Sequence, residues 1–295
     1  MVRDIHDIYD VILKIIISVY GKHFLNYIGI DEDIKEVLNV ELTTLNGNKL
    51  YLDFLCLLKN DTISHIEFQY PKSQPKHLDR FFNYNIVAQA KYQKTVDTTI
   101  FNFTHKLDDE KPQRMGQTKC FIPSRFYLGD VNFEEYIRNI NIKLESNTQL
   151  SHSEEITLLL MSLNPKFDNK YNILHDISKI IEKKELFDKN RFEFFKSVVE
   201  LEIENFLTKD EQNKISEGVK MTPKAMDVVT RAINEVNQKV LAETREDALA
   251  EGRAEGKAEG IDEATGSIAK ALRNTVDLKD LSIATGLTID EIKRL

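Results

Sequence analysis

The sequence predicts an α/β core followed by an all-helical C-terminal region. Residues 4–20 place apolar side chains at steps of three and four, which is typical of a helix with one buried face. The runs 36–44, 50–58 and 63–70 are rich in β-branched and aromatic residues and are separated by short polar turns, so they predict three strands. From residue 131 onward the apolar spacing is almost purely helical.

The remaining elements of the core follow Pro71 and Pro75, which interrupt the strand pattern. Helical spacing returns over 76–93, residues 98–104 are strand-like, and 119–128 is a candidate edge strand. The predicted order is therefore helix, three strands, helix, strand.

The second half divides into regions by pattern. We predict a core over 1–130, a helical region over 131–220, a long helix or connector over 221–263 and a small helical hairpin over 264–295. The amphipathic stretches of the helical region are 134–142, 153–163, 171–186 and 191–207.

A four-residue repeat runs through 250–261 and places Gly252, Gly256 and Gly260 on one slowly drifting stripe. Each glycine costs a helix about 1 kcal/mol relative to alanine. The repeat therefore predicts either a helix that another backbone approaches closely or a weak connector.

The last two helical patterns, 278–285 and 289–295, form a predicted helix–turn–helix. Gly286 suits the end of the first helix, and Thr288 with Glu291 forms a capping box at the start of the second. Acidic side chains balance or exceed the basic ones here, so packing against protein is favoured over reading of DNA.

Composition excludes several classes of protein. The chain has 295 residues and 41% apolar content, which is enough for a core, and no uncharged apolar stretch long enough to span a membrane. Its two cysteines, Cys56 and Cys120, cannot build a disulfide scaffold or a four-cysteine metal site. Asp4, Asp7 and Asp10 stand where a signal peptide would be basic or apolar. These features predict a cytoplasmic protein.

The charge is unevenly distributed. The net charge of −8 argues against a protein that coats nucleic acid by bulk electrostatics. Residues 1–130 are nearly balanced, with 16 Lys and Arg against 17 Asp and Glu, whereas 131–295 carry 24 against 31. The window 71–94 is locally basic, and its cations are Lys72, Lys76, Arg80, Lys91 and Lys94 against the single acid Asp79.

The candidate site lies on the two middle strands. His65, Glu67 and Gln69 share one face of the third strand because side chains alternate. A hairpin loop at 59–61 makes paired residue numbers sum to 120, which sets Asp53 opposite Glu67. Two carboxylates about 5 Å apart repel when ionised, and a divalent cation would relieve that repulsion. Magnesium suits such a site best.

The order of these motifs resembles a known family. Leu52-Asp53 precedes Glu67-Phe68-Gln69, then Arg80 and Tyr84 follow on one helix face, then come the Ala-Glu-Gly repeat and the closing Thr-Gly-Leu-Thr-Ile-Asp-Glu-Ile. This order resembles the PD-(D/E)XK nuclease superfamily, and within it the recombination-promoting nuclease and transposase-like group.

The resemblance implies a restriction-endonuclease-like core and a DNA endonuclease that depends on Mg²⁺ or Mn²⁺, linked to recombination or mobile elements. Asp53 and Glu67 would hold the metal, with the carbonyl of Phe68 as a third ligand, and Gln69 would position the attacking water. Lys72, Lys76, Arg80 and Tyr84 are the residues expected to bind DNA.

The chain departs from the family pattern at two positions. Leu52 replaces the proline, which touches no metal. Gln69 replaces the usual lysine and can orient water but supplies no positive charge, so a nearby cation would have to do so. The candidates are Lys72, Lys76, Arg80 and Lys91. His65 and the helix acids Asp7 and Asp10 are further candidates, for which packed or solvated roles are favoured.

Two other classes of protein compete with the nuclease hypothesis. A degenerate nuclease core could serve as a DNA-binding or oligomerisation module, and divalent-metal binding discriminates between these hypotheses. A two-carboxylate glycosidase is disfavoured because the chain has no Trp for a sugar platform and the adjacent helix is basic.

We predict that residues 222–295 form a helical arm that makes the protein a homo-oligomer, because the glycine stripe allows close backbone approach and the last helices carry unpartnered apolar residues. Light scattering should give an oligomeric mass for the full chain and a smaller one for a chain ending near Lys220. The prediction is wrong if both are monomers at tens of micromolar or if truncation leaves the oligomer unchanged.

Overall fold

The computed structural model describes residues 5–44, 49–70, 75–106, 113–115, 119–189, 191–215 and 277–294, with three single positions between the last two ranges. Contacts divide the chain into two compact units, Met1–Lys239 and Val240–Leu295. No described helix is long and apolar enough to cross a membrane.

The first unit is α/β and begins with a helix, as predicted. Its helices are α1 (Ile5–Tyr20), α2 (Lys22–Tyr27), α3 (Pro75–Tyr92), α4 (Phe133–Ser146), α5 (His152–Met161), α6 (Lys170–Ile181), α7 (Phe192–Phe206) and α8 (Lys209–Gln212). Its strands are β1 (Ile34–Val37), β2 (Glu41–Thr43), β3 (Lys49–Tyr51), β4 (Phe54–Leu58), β5 (Ile63–Gln69), β6 (Val96–Asn102), β7 (Gln113–Met115), β8 (Lys119–Phe121) and β9 (Ser124–Tyr127).

Five strands form a mixed sheet in the order β1-β4-β5-β6-β9. The pairs β1–β4 and β4–β5 are antiparallel, whereas β5–β6 and β6–β9 are parallel. Helix α3 connects the parallel strands β5 and β6, as a parallel pair requires. The strands β2–β3 and β7–β8 form two separate small hairpins. The predicted edge strand 119–128 is confirmed only over β9, because residues 119–121 form β8 in a separate hairpin.

The predicted strands 36–44 and 50–58 are wrong as continuous elements, because each is broken in two. Leu52 donates its N–H to the carbonyl of Val40 at 3.0 Å, so β3 pairs with β2 outside the main sheet. The chain bends at Asp53 before β4 begins. A carboxylate oxygen of Asp53 accepts the N–H of Phe68 at 2.8 Å. The side chain thus satisfies this backbone donor at the point where the β4–β5 ladder ends.

The predicted hairpin register is confirmed. Phe54 pairs with Ile66 and Leu57 with Ile63, so paired numbers sum to 120. Asp61 ends the loop in the left-handed region with φ of 69°, a conformation that aspartate tolerates better than most residues.

The two faces of the sheet are covered differently. Helix α1 and the later helices share one apolar core with the sheet side chains of Cys56, Ile66 and Phe68. Helix α3 covers the opposite face, where Leu55 and Ile100 pack in a second core. The site residues of β5 point toward α3, because they alternate with Ile66 and Phe68.

The predicted helices after residue 131 are confirmed as α4 to α7, with a 3₁₀ turn at Lys184–Leu186 after α6. A capping box starts α5, in which Glu154 accepts the N–H of Ser151 at 2.6 Å. These helices pack into the same core as α1. Residue 130 therefore marks a change of secondary structure within one compact unit.

The second unit contains the predicted hairpin, formed by α9 (Leu278–Thr285) and α10 (Ile289–Arg294). Gly286 adopts φ of +71°, and Thr288 donates its N–H to Glu291 at 2.8 Å in the predicted capping box. Ile292 is buried against Leu278 and Leu287. The predicted glycine repeat at 250–261 lies outside the described residues.

Gly129 yields a stability prediction, because a Cβ there would lie 2.8 Å from the backbone of Thr104 and His105. Backbone cannot move aside as a flexible side chain can, so Gly129→Ala should lower the free energy of unfolding by about 2 to 3 kcal/mol. Gly29→Ala is the control, since open space surrounds it and its φ of +88° alone should cost about 1 kcal/mol. Urea denaturation measures both, and equal losses would contradict the packing account.

Candidate functional site

The structure brings together Asp53, Glu67 and Gln69, as the sequence predicts. Asp53 lies at the bend before β4, while Glu67 and Gln69 lie on β5. All three side chains are buried, with exposures of 2%, 0% and 4%. Unpaired carboxylates are expensive to bury, so their partners decide what this site can do.

Each carboxylate is held by the backbone of the opposite strand. Asp53 donates its N–H to Oε1 of Glu67 at 3.3 Å, and Phe68 donates its N–H to Oδ2 of Asp53 at 2.8 Å. Backbone donors favour the ionised form of a carboxylate and offset part of the repulsion between the two charges. The acids are therefore fixed as a pair.

His65 belongs to the same site. Its Nε2 lies 2.8 Å from Oε1 of Glu67, and its Nδ1 lies 3.0 Å from the hydroxyl of Thr98 on β6. The amide of Asn85 on α3 donates to that hydroxyl at 3.0 Å and to the carbonyl of Val96 at 2.7 Å. A chain of hydrogen bonds thus joins α3 to Glu67.

The amide orientation of Asn85 is fixed by its partners. A carbonyl can only accept, so the Asn85 nitrogen must face Val96, and the same nitrogen donates to the Thr98 oxygen. Thr98 and Glu67 in turn hold the two ring nitrogens of His65, so the imidazole ring is fixed against Oε1 of Glu67.

Two oxygens of the site remain unused. Oε2 of Glu67 and Oε1 of Gln69 are buried and accept no hydrogen bond from the residues that the structure describes. The Gln69 amide nitrogen lies 3.5 Å from the carbonyl of Tyr70. Buried oxygens without donors are suited to a hard cation.

The donor set fits a magnesium-type site rather than a zinc-type site. Within the described ranges, no group of three or more His, Cys, Asp and Glu side chains is arranged to hold a metal. Mg²⁺ needs one or two carboxylates and completes its shell with water or substrate oxygens, so Asp53 and Glu67 suffice, and Gln69 offers an amide oxygen. The carbonyl of Phe68 as a ligand stays a prediction.

Of the four predicted DNA-binding residues, Tyr84 and Arg80 lie beside this site. Tyr84 is 2% exposed, its ring lies 6.2 Å from that of His65, and the guanidinium of Arg80 lies 5.9 Å from the Tyr84 ring. Tyr84 is thus a packing residue beside the site, and Arg80 stacks on it. Lys76 lies in the first turn of α3 with its side chain outside the described part, and Lys72 is outside it altogether.

Other candidates lie elsewhere. The amine of Lys91 lies 3.5 Å from the carbonyl of Glu41, near the other end of α3. Helix α1, which carries Asp7 and Asp10, packs on the opposite face of the sheet. Cys56 is on that face too, and burial raises the pKa of its thiol to about 12, so it is no nucleophile.

From the sequence, His65 was undervalued as a site residue, and Thr98 and Asn85 were not identified as site residues. The signal for Asn85 is a polar residue that follows Phe81 and Tyr84 on the buried side of α3, whereas His65 shares its strand face with Glu67 and Gln69. Only the register of β5 against β6, which pairs His65 with Thr98, shows that they meet.

Comparisons with protein-family models, with curated proteins and with solved structures find no match to this chain. Its function is therefore inferred from the geometry of the site and from the sequence.

Thr98 tests the hydrogen-bond chain, because Thr98→Val keeps the shape but removes the hydroxyl between Asn85 and His65. Two buried polar groups lose a partner, so the free energy of unfolding should fall by about 2 kcal/mol. Thr99→Val is the matched control on the other face of β6 and should change stability by less than about 0.5 kcal/mol. Equal losses of unfolding free energy in Thr98→Val and Thr99→Val, measured by chemical denaturation, would show that this chain of hydrogen bonds contributes nothing to stability.

Proposed function

We propose that the chain is a metal-dependent endonuclease that hydrolyses phosphodiester bonds in DNA. The observation that carries the proposal is the pair Asp53 and Glu67, whose carboxylates are fixed by backbone from the opposite strand while Oε2 of Glu67 is left without a hydrogen-bond partner in the described structure. Such a pair of carboxylates is enough for a Mg²⁺ or Mn²⁺ site, and the oxygen of Gln69 beside it, which accepts no hydrogen bond in the described structure, is available to orient water.

The fold supports the proposal that this is a restriction-endonuclease-like core of the PD-(D/E)XK type. A helix precedes the sheet, the antiparallel β4 and β5 carry the acids, and α3 leads from β5 to the parallel strand β6. This is the order that the resemblance to recombination-promoting nucleases implies.

The proposed chemistry divides among the site residues. Asp53 and Glu67 would hold the metal, which when bound supplies positive charge for the transition state and acidifies water. His65 keeps the Glu67 carboxylate in one orientation through the hydrogen bond between its Nε2 and Oε1 of Glu67. Gln69 would orient the attacking water through its amide oxygen, which has no other donor among the described residues.

Basic residues that follow β5 would contact the negatively charged phosphates of the substrate. The chain passes from Gln69 directly into the basic window 71–94, and Arg80 lies beside Tyr84 at the site. Phosphate contacts by lysine and arginine position a nucleic acid without reading its sequence. DNA would therefore reach the carboxylates from the start of α3.

A second candidate function rests on the burial of the site. Oε1 of Glu67 already has two partners, and no site acid is more than 2% exposed. These facts favour a buried polar network that stabilises a non-catalytic DNA-binding or oligomerisation module. A site that has lost its function should no longer bind a divalent ion, which separates the candidates.

Cleavage of supercoiled plasmid tests the nuclease directly. We expect Mg²⁺- or Mn²⁺-dependent nicking that falls at least about 100-fold in Asp53→Asn and Glu67→Gln, because each change removes a charge that the metal needs. The matched controls are Asp210→Asn and Glu145→Gln, which alter exposed acids and should keep the parent rate.

Circular dichroism would confirm that the site variants fold. Cleavage in excess EDTA, or cleavage by either folded site variant at the parent rate, would overturn the proposal.

Gln69→Ala separates water positioning from metal binding. If the amide orients water, turnover should fall about 10- to 100-fold while calorimetry shows little change in Mn²⁺ affinity. Loss of both would make Gln69 a ligand, and loss of neither would remove it from the mechanism.

A further inference from the structure

The parallel strands β5, β6 and β9 all finish at one end of the main sheet. Gln69 is the last residue of β5 at this end. On the neighbouring strand, Phe103 donates its N–H to the carbonyl of Gln69 at 3.4 Å, and His105 follows two residues later. Ligands of α/β sheets bind outside the carboxyl ends of the strands. His105 therefore lies at the end of the sheet where the proposed substrate binds.

His105 forms a hydrogen-bonded pair with Asp130, the last residue of the 3₁₀ turn Leu128–Asp130 that follows β9. Nδ1 of His105 lies 2.9 Å from Oδ1 of Asp130, and Lys106 donates its N–H to Oδ2 at 3.0 Å. Burial raises the pKa of Asp130, but the hydrogen bonds from His105 and Lys106 outweigh burial, so the pKa lies below its usual value. An ionised carboxylate can only accept, so Nδ1 of His105 carries a proton.

The second ring nitrogen of His105 is available to a ligand. Nε2 has no hydrogen-bond partner among the residues that the structure describes, and the His105 side chain is 49% exposed. Because Nδ1 already carries a proton, protonation of Nε2 makes the ring a cation with a second N–H donor. Such a ring is suited to an anionic oxygen.

Close backbone contact fixes the pair in place. Gly129 donates its N–H to the carbonyl of Thr104 at 3.1 Å, and a Cβ on Gly129 would lie 2.8 Å from the backbone of Thr104 and His105. The glycine thus lets the 3₁₀ turn approach the end of β6. A side chain that is already oriented loses little freedom when it binds a ligand.

Two lysines accompany His105. Lys106 is the next residue along the chain, and Lys166 lies in the segment that follows α5. The Asn164 amide nitrogen donates to the carbonyl of Leu128 at 2.7 Å, while its Oδ1 accepts the N–H of Lys166 at 2.7 Å. Asn164 therefore holds Lys166 beside the 3₁₀ turn.

The charges of these segments favour an anion. Both lysine side chains are exposed, and neither amine forms an ion pair with the described part of the chain. The charge of Lys166 contributes to the lowered pKa of Asp130, so the two groups are near each other. The acids of residues 103–106, 128–130 and 162–169 are Asp130, which His105 engages, and Asp168.

These groups lie within reach of a DNA strand bound at the acid pair. Consecutive Cα atoms are about 3.8 Å apart, so the Cα of His105 is at most about 8 Å from that of Phe103, whose N–H bonds to Gln69. One strand of a duplex carries a phosphate for about every 3.4 Å of helix axis. A strand cut at Asp53 and Glu67 would therefore bring neighbouring phosphates to this end of the sheet.

We propose that His105, Lys106 and Lys166 form a second phosphate-binding surface, which contacts DNA a few nucleotides from the scissile bond, and that Asp130 is the residue that positions His105. The proposal rests on the proposed nuclease function and deepens it. DNA would cross the carboxyl end of the sheet, from the start of α3 to the ends of β6 and β9. Contacts of this kind position the duplex without reading its sequence.

Fluorescence anisotropy with a labelled DNA duplex in EDTA tests this surface without cleavage. Near pH 6, His105→Ala, Lys106→Ala and Lys166→Ala should each weaken binding about 3- to 10-fold and lower the slope of log affinity against log salt by about one unit, because each removes a phosphate contact. The matched controls are Lys184→Ala and His175→Ala, whose ring lies 3.7 Å from Asp176 on α6, and both should bind like the parent.

The proton of His105 gives a readout that a structural role would not give. Affinity of the parent should fall about 3- to 10-fold between about pH 6 and pH 8, His105→Ala should lose most of that change, and His105→Lys should bind tightly at both values. Asp130→Ala should weaken binding near pH 6 although it removes a negative charge, and should not weaken it in His105→Lys. Tighter binding by Asp130→Ala would overturn its positioning role.

Nicking of plasmid with Mg²⁺ separates this proposal from the nuclease. If the parent nicks DNA while His105→Ala and Lys166→Ala keep its affinity and salt slope, the second surface is overturned and the nuclease stands. If both variants lose affinity as expected but the parent does not nick, the surface stands and the nuclease is overturned. Absence of duplex binding by the parent at tens of micromolar would overturn the surface.

Discussion

The structure depends on a reciprocal pair of hydrogen bonds, in which Asp53 and Glu67 each accept a backbone N–H from beside the other. Each acid takes a backbone N–H from the strand that carries the other, so the end of the β4–β5 ladder is closed by side chains instead of carbonyls. This exchange stands at the start of β4, after β3 has paired with β2 outside the main sheet, and it places two carboxyl groups in a buried layer. Two carboxylates this close repel each other when ionised, which is the physical reason for proposing a cation there.

The polar chain behind Glu67 gives the acid pair its orientation. His65, Thr98 and Asn85 lie between two strands and α3, surrounded by the apolar side chains of the second core. Polar groups in such a layer are tolerated because each has a partner within the network. One oxygen of the Glu67 carboxylate is held by hydrogen bonds, while the other accepts none in the described structure. The carboxylate is therefore already oriented as a metal ligand would be, which favours the metal-site proposal.

The sequence predicted most of the fold because periodic patterns and turn chemistry are local. The register that sets Asp53 opposite Glu67 followed from a three-residue loop, and α1 and α3 followed from apolar spacing. The break at Asp53 could not be predicted, because it depends on a side chain replacing a backbone acceptor across strands. His65 was undervalued for a similar reason: its partner Thr98 is 33 residues away and meets it only through the parallel pairing of β5 and β6.

Calorimetric titration of the full chain with Mn²⁺ tests the central claim, that the buried acid pair is a metal site, most directly. We expect saturable binding near one ion per chain, weakened at least about 100-fold in Glu67→Gln and unchanged in Glu145→Gln. Absence of binding by the parent, or the same isotherm for parent and Glu67→Gln, would contradict the account and assign Asp53 and Glu67 to the stability of the sheet.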